Sequence, residues 1–302
     1  MRSETIDVAS GDRAVFARRW LPEGAPGAHI QIAHGLAEHS ARYARLAEAL
    51  TGAGYAVTAS DHRGHGPKCP PADLGFFAAT EGWRACLDDL RAVAERSAAD
   101  FPAIPRIFFG HSMGSFMGQT YIAEHGAELA GAILSGTSGP APGILGLGAL
   151  IAGFERWRLG PRGKSPIVQQ LLFGELNKPF KPVRTDYDWL SRDEAEVDKY
   201  VADPLCGFPV TTQLALDLVD GLRGLASPAT AARIPKRLPI YIFSGSRDPV
   251  GAKLQGLIEV YKAAGLERLT VKIYPEARHE TLNEINRDEV TGDVLAWLND
   301  VA

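Results

Sequence analysis

Residues 106–121 read Arg-Ile-Phe-Phe-Gly-His-Ser-Met-Gly-Ser-Phe-Met-Gly-Gln-Thr-Tyr. Inside them lies Gly110-His111-Ser112-Met113-Gly114, a G-x-S-x-G pentapeptide. Five such residues recur by chance in a chain with 32 glycines, so the flanks must give them meaning. An apolar run enters the serine and a helical pattern leaves it, which is the pattern of a nucleophile elbow. Glycines two residues either side let strand and helix approach closely and leave room for a strained serine backbone. The Ser112 Oγ then stands at a strand end, over a helix N-terminus whose amides favour developing negative charge.

The surrounding rhythm agrees. A hairpin signal covers 4–20, with strands at 5–8 and 14–19 joined through Ser10-Gly11-Asp12. Buried strands follow at 29–33, 55–60, 104–109 and 129–135. Between them the spacing predicts helices at 41–52, capped by Ser40, at 83–100 and at 113–125. Alternating strands and helices mean βαβ units and a parallel sheet covered on both faces, with the hairpin as an antiparallel edge. The rhythm stops from 136 to 230, where short helices are expected near 145–157, 166–172, 193–200 and 211–225. It resumes with strands at 238–244 and 269–274 and helices at 250–264 and 282–298. The expected organisation is an α/β core, 1–136 and 230–302, interrupted by a helical cap at 137–229.

Composition fits one large α/β domain. Of 302 residues, 45% are hydrophobic and 23% charged. A net charge of -4 and a pI of about 6.1 argue against nucleic acid or an anionic membrane as the main partner. The first ten residues lack the apolar core of a signal peptide, and no uncharged apolar run reaches membrane-spanning length. Cys69, Cys86 and Cys206 are odd in number and match no zinc or thioredoxin spacing. A reduced, cytoplasmic setting is the expectation.

A serine hydroxyl needs a base, and the base an orienting acid. In a strand–elbow–helix architecture these follow in the order Ser, acid, His. Asp248, in Gly245-Ser246-Arg247-Asp248-Pro249, follows a resumed strand, where open α/β sheets place their sites. His279 follows the next strand and is the only histidine after His125. Two N–H groups must hold the oxyanion. One belongs to Met113, the residue after the serine; the other is expected from the loop after 29–33, where His34-Gly35-Leu36 points to the Leu36 N–H.

These pieces carry a resemblance. His34-Gly35-Leu36-Ala37-Glu38-His39 with Arg42-Tyr43, Asp61-His62-Arg63-Gly64-His65-Gly66, Gly110-His111-Ser112-Met113-Gly114, Gly245-Ser246-Arg247-Asp248-Pro249-Val250-Gly251 and His279-Glu280 occur in family order over most of the core. The chain resembles the monoacylglycerol lipase/lysophospholipase group of α/β-hydrolases. The resemblance implies an α/β-hydrolase fold with a helical cap, a carboxylester hydrolase without cofactor, and a monoacyl lipid or similar ester as substrate. Residues 137–229 match the family loosely and leave the substrate open.

Other features are weighed against plainer roles. Glu38, His39 and Arg42 are expected to tie the oxyanion loop to the core. His62 and His65 lack a third ligand with zinc-like spacing, so no metal is expected. The apolar stretch 144–154 is expected to line the acyl pocket, with docking on a membrane surface as the alternative. Competing functions are an acyltransferase, a peptidase or a cofactor-free perhydrolase on the same scaffold, or a non-catalytic ligand-binding module. Related dehalogenases and epoxide hydrolases imply an aspartate nucleophile, whereas position 112 is serine.

Overall fold

Burial along the central strands explains their continuous apolar runs. In the computed structural model, which describes residues 1–11, 13–139 and 142–302 (without the side chains of 142–144), every residue of β3 (His29–Ala33), β4 (Ala56–Ser60), β6 (Gly131–Ser135) and β7 (Ile240–Gly245) is buried. Such strands are covered on both faces. With β1 (Arg2–Ser10), β2 (Arg13–Leu21), β5 (Arg106–His111) and β8 (Leu269–Tyr274) they form one sheet in the order β1-β2-β4-β3-β5-β6-β7-β8. β1 and β2 pair antiparallel, as do β2 and β4; the remaining pairs are parallel. The chain steps outward from β3 to β4 and returns to β5 on the other side of β3. That reversal opens a crevice beyond the carboxyl ends of β3 and β5, where α/β sheets bind their ligands.

Alternate side chains of each strand feed two cores. Phe108, Leu134 and Ile242 join one with Met117 and Tyr121 of α3 (Met113–His125) and Leu87 and Leu90 of α2 (Gly82–Asp100). Phe109, Ile133 and Phe243 join the other with Leu46 and Leu50 of α1 (Ala44–Gly52) and Val294 and Leu298 of the C-terminal helix. Between β6 and β7 lie α4 (Pro142–Leu159), α5 (Pro166–Phe173), α6 (Glu194–Ala202), α7 (Thr212–Arg223) and α8 (Pro228–Arg233). Side chains of Ser165, Asp193, Thr211 and Ser227 cap the last four at their N-termini. α8 runs across the expected boundary at 229/230 and packs on α3 and on α9 (Leu254–Ala263).

Four local expectations are corrected. Ser40 caps no helix: it opens a 3-10 turn, Ser40–Tyr43, its N–H donates to Asp61 Oδ1 (2.7 Å), and its hydroxyl has no partner among the described residues. β5 sits two residues later than expected, because Gly110 and His111 still pair with Leu134 and Ser135 of β6. The C-terminal helix, α10, spans Arg287–Val301. Its expected first turn is instead a 3-10 turn and a loop in which buried Glu284 accepts from the Arg278 N–H (2.8 Å) and from Arg192 Nε (2.8 Å). Finally, the described part of 144–154 does not line the cavity at Ser112. α4 packs on α7 and α5, turns the small residues Gly148 and Ala152 inward, Gly148 toward Leu171 of α5, and leaves Leu147, Leu150, Phe154 and Trp157 exposed, Leu150 and Trp157 by 73% and 79%. In the opening hairpin, Asp12 lies outside the described residues. Among the described residues no helix is long and apolar enough to cross a membrane.

α7 joins α2 through Asp217, which accepts from the Gly82 N–H (3.3 Å) and Gln213 Nε2 (3.0 Å) while its Oδ2 has no partner among the described residues. Burial pushes this carboxyl up to about 6. A folded pKa raised above the unfolded value means stability that is full below pH ~4 and is lost as pH rises through ~6. Asp217→Asn should therefore raise the melting temperature at pH 8 and leave it little changed at pH 4, as read by scanning calorimetry.

Candidate active site

Ser112 occupies φ +50°, ψ −120°, a conformation costly for a residue with a Cβ. The surroundings over-determine it. Its N–H donates to Ser135 O (2.9 Å), and its carbonyl accepts from the N–H groups of Ser115 (2.8 Å) and Phe116 (3.1 Å) and from Ser115 Oγ (2.6 Å). The two flanking glycines are required by space. A Cβ at Gly110 would lie 2.4 Å from Gly114 O, and one at Gly114 would lie 2.0 Å from Ala33 O. Helix α3 thus presses on the end of β3, and the serine stands at the rim of the crevice.

Asp248 follows β7 and His279 follows β8, and the fold brings both beside the elbow. His279 Nδ1–H donates to Asp248 Oδ1 at 2.9 Å, because an ionised carboxylate can only accept. The same oxygen accepts from the Val250 N–H (2.8 Å), and Asp248 Oδ2 accepts from Ser244 Oγ (2.6 Å). Burial opposes ionisation of Asp248, but the facing His279 and these hydrogen bonds outweigh it and hold the carboxyl below its ordinary range. Burial likewise opposes the imidazolium of His279; the Asp248 charge and hydrogen bond, helped by Glu280 and Glu38, outweigh it and raise this histidine. His279 Nε2 is buried with no partner among the described residues, so the hydrogen bond to Ser112 is not formed here. The Trp189 ring lies 5.0 Å from the His279 ring, tilted by 35°, and the Trp189 carbonyl accepts the His279 N–H (3.3 Å).

The loop after β3 reaches the serine directly. A Cβ at Gly35 would sit 3.2 Å from Ser112 Cβ. The N–H groups of Leu36 and Met113, the expected oxyanion donors, take no acceptor among the described residues. Histidines hold this loop in place. His34 Nε2 accepts the His62 N–H (3.1 Å), so its Nδ1–H donates to Gly35 O (2.7 Å). His65 Nε2 accepts the Ala37 N–H (3.1 Å), and its Nδ1–H donates to Arg63 O (2.8 Å). His62 Nε2–H donates to His34 O (3.0 Å). Burial holds His62 and His65 neutral, pushed down to about 3 and about 4. His62 and His65 are spent on backbone rather than on a metal. Among the described residues one group has metal-ligand composition, His39, Asp203 and Cys206, with its ligand atoms within 4.8 Å of one another. Burial raises the Cys206 thiol and outweighs the opposing pull of the Arg42 charge, so the thiolate a cation wants is disfavoured; His39 Nε2 and Asp203 Oδ2 instead share a 2.9 Å hydrogen bond.

Ser112 and His279 line a cavity of about 280 Å³ walled by Phe116, Leu172, Leu176, Leu218 and Leu222. A hollow of about 570 Å³ shares Phe173 and Tyr200 with it and is more polar, with Lys164, Gln169, Gln170, Asn177 and Asp186. Sequence reading named Ser112, Asp248, His279, Leu36 and Met113, and the fold brings them together at this crevice. It missed the supports Ser244, four residues before Asp248, and Trp189 and Tyr200, whose contacts join distant stretches and leave no local pattern.

A sequence profile of the family described as serine aminopeptidase, S33, matches residues 24–286. The chain is 28% identical to the monoacylglycerol lipase of Mycolicibacterium smegmatis, over 98% of this chain and 97% of that one. It is 29% identical to the human monoglyceride lipase, over 94% and 85%. A thermostable carboxyl esterase from Bacillus coagulans, solved with glycerol, superposes with a TM-score of 0.90 at 29% identity, over 100% and 99%.

The Asp248–His279 geometry carries its own test. Replacing the carboxylate by an amide removes the charge that favours imidazolium. In Asp248→Asn the His279 titration midpoint, followed by NMR of labelled histidine, should fall below that of the unsubstituted protein.

Proposed function

The chain belongs to the serine aminopeptidase S33 family of α/β-hydrolases, and we propose that it is a serine carboxylester hydrolase acting on monoacyl lipids or similar esters. The observation that carries this reading is the convergence of three things on one apolar cavity: a serine on a strained turn, a histidine with an unpartnered Nε2, and a buried carboxylate on its Nδ1. Ser112 Oγ attacks the ester carbonyl while His279 Nε2 takes its proton. The tetrahedral oxyanion is held by the Leu36 and Met113 N–H groups. His279 delivers the proton to the leaving alcohol, and the acyl chain stays on Ser112. Water then attacks the acyl-enzyme with His279 again as base. Asp248 fixes the tautomer and stabilises the imidazolium. No step calls on a cofactor.

Residues 137–229 act in this reading as a cap. They supply Leu172, Leu176, Leu218 and Leu222 to the cavity wall, which suits an acyl chain. The exposed row Leu147, Leu150, Phe154 and Trp157 recurs at helical spacing on α4, and an apolar surface of that kind suits weak contact with a lipid surface. Similar relatives are named for lipase and esterase activity, which favours ester over peptide. A peptidase that captures a substrate amino terminus needs a free carboxylate in the cavity. Glu38 and Glu280 line it, but both are held by Arg42.

Ser112→Ala should abolish hydrolysis of p-nitrophenyl esters with the fold intact by circular dichroism; a variant keeping most of its activity would remove Ser112 from the role. Across a series of monoacylglycerols, lysophospholipids and simple esters, the monoacyl lipids should give the highest kcat/KM. An alcohol or amine that outcompetes water for the acyl group would make the protein a transferase. Leu150→Glu with Trp157→Glu should lower activity on monoacylglycerol held in vesicles and leave hydrolysis of a water-soluble ester unchanged.

A further inference from the structure

The segment from Tyr200 to Gly207, at the end of α6, touches the loop after β3 at three points. Tyr200 Oη–H donates to the Ala37 carbonyl at 2.9 Å. The Gly207 N–H donates to the same carbonyl at 2.9 Å. Asp203 pairs with the His39 ring at 2.9 Å. Ala37 has φ +54°, unfavourable for a residue with a Cβ, so that conformation must be held from outside. It is held from both sides, by His65 on its N–H and by Tyr200 and Gly207 on its carbonyl. Its neighbour Leu36 carries the expected oxyanion donor.

The Tyr200 hydroxyl is held as tightly as the carbonyl it serves. The residue is buried, and burial keeps the phenol protonated, hence a donor, over the whole working range. The Arg42 guanidinium lies 4.9 Å from the Tyr200 ring centre. Arg42 donates to Glu38 Oε2 (2.6 Å) and doubly to Glu280 (2.6 and 2.7 Å), and Glu38 Oε1 accepts the Gly35 N–H at 2.5 Å. Tyr200 therefore packs on the same ionic group that orients the peptide before Leu36. Gly207 is confined too: a Cβ there would lie 2.6 Å from Tyr187 Oη and 3.2 Å from Tyr200 Cε1.

We propose that Tyr200 is a positioning residue for the hydrolytic reaction: through the Ala37 carbonyl it sets the direction of the Leu36 N–H, so the segment between β6 and β7 completes the oxyanion site of the core. This rests on the reading of Ser112 as nucleophile and Leu36 as donor. The Tyr200 ring forms part of the cavity wall, but its hydroxyl, spent on the Ala37 carbonyl, acts in that role on neither substrate nor nucleophile. Its effect falls on the transition state, where the oxyanion exists, and spares ground-state binding.

Tyr200→Phe keeps the ring against Arg42 and removes only the donor. Deleting one oxyanion donor costs on the order of 100–1,000-fold in kcat; misdirecting one should cost about 10-fold. With rates normalised to active sites titrated by a fluorophosphonate, kcat on a short p-nitrophenyl ester should fall about 10-fold with KM and the acid limb of the pH profile unchanged. Affinity for an alkylboronic acid, which forms a tetrahedral adduct on serine, should fall by a similar factor. Asp203→Asn, half-buried and so easily folded, loosens the His39 tie and should lower kcat less, in the same direction. Unchanged kcat per titrated site in both variants, or a loss confined to the fraction of titratable sites, would overturn the proposal. The triad is judged separately, by fluorophosphonate labelling of the unsubstituted protein and its absence in Ser112→Ala. A labelled, fully active Tyr200→Phe protein sinks the positioning role alone.

Discussion

The close approach of α3 to β3 is the constraint from which the site follows. Gly114 backs onto the Ala33 carbonyl with no room for a methyl group, and Gly110 lies as tightly against Gly114. A chain turning that sharply from strand into helix can keep its hydrogen bonds only if the residue between takes a positive φ. Ser112 is that residue, and four hydrogen bonds keep it there. The same approach brings the loop after β3 beside the serine, so the proposed nucleophile and the expected oxyanion donors arise from one packing contact.

Around that contact the chain buries many polar groups, and it handles them in two ways. Charges are kept where a partner of opposite sign is fixed: Asp248 faces His279, and Arg42 spans Glu38 and Glu280. Where no partner exists, the group is neutral and hydrogen-bonded to backbone, as with His34, His62 and His65. A fixed charge beside the base raises its proton affinity, while neutral rings shape the loop without disturbing that balance. Asp217, away from the site, satisfies neither condition fully, and its carboxyl drifts upward in response.

Much of this was legible in the chain because it depends on local pattern. Continuous apolar runs announced strands covered on both faces, and glycines around Ser112 announced a turn that only glycine permits. The order of Ser112, Asp248 and His279 matched the strand ends that the sheet brings together. What failed depended on distant partners. Ser40 looked like a cap, but the carboxylate of Asp61 claims its N–H. The final helix looked as if it began five residues earlier, but Glu284 is buried there as an acceptor for Arg192 and Arg278. Residues 144–154 looked like pocket lining because apolar sequence does not reveal which face is inward; here the buried face carries the small residues Gly148 and Ala152, and the large apolar side chains face out. Tyr200 gave no signal, since one tyrosine on an amphipathic helix is unremarkable until its hydroxyl meets Ala37.

The buried neutral histidines also limit the conditions under which the molecule can work. His29, His62, His65 and His111 are held by burial down to about 3 to about 4, whereas in an unfolded chain they would take up protons near pH 6.5. Their stabilising effect is full above that pH and drains away as acidity increases toward the folded values. His279, the proposed base, is shifted the other way, so on acidification it takes up its proton before those four rings do. Stronger acid acts on the scaffold itself, and several rings charge together as the chain opens. Acid thus reaches the proposed base and the scaffold at different points, the single imidazole first and the four buried rings later.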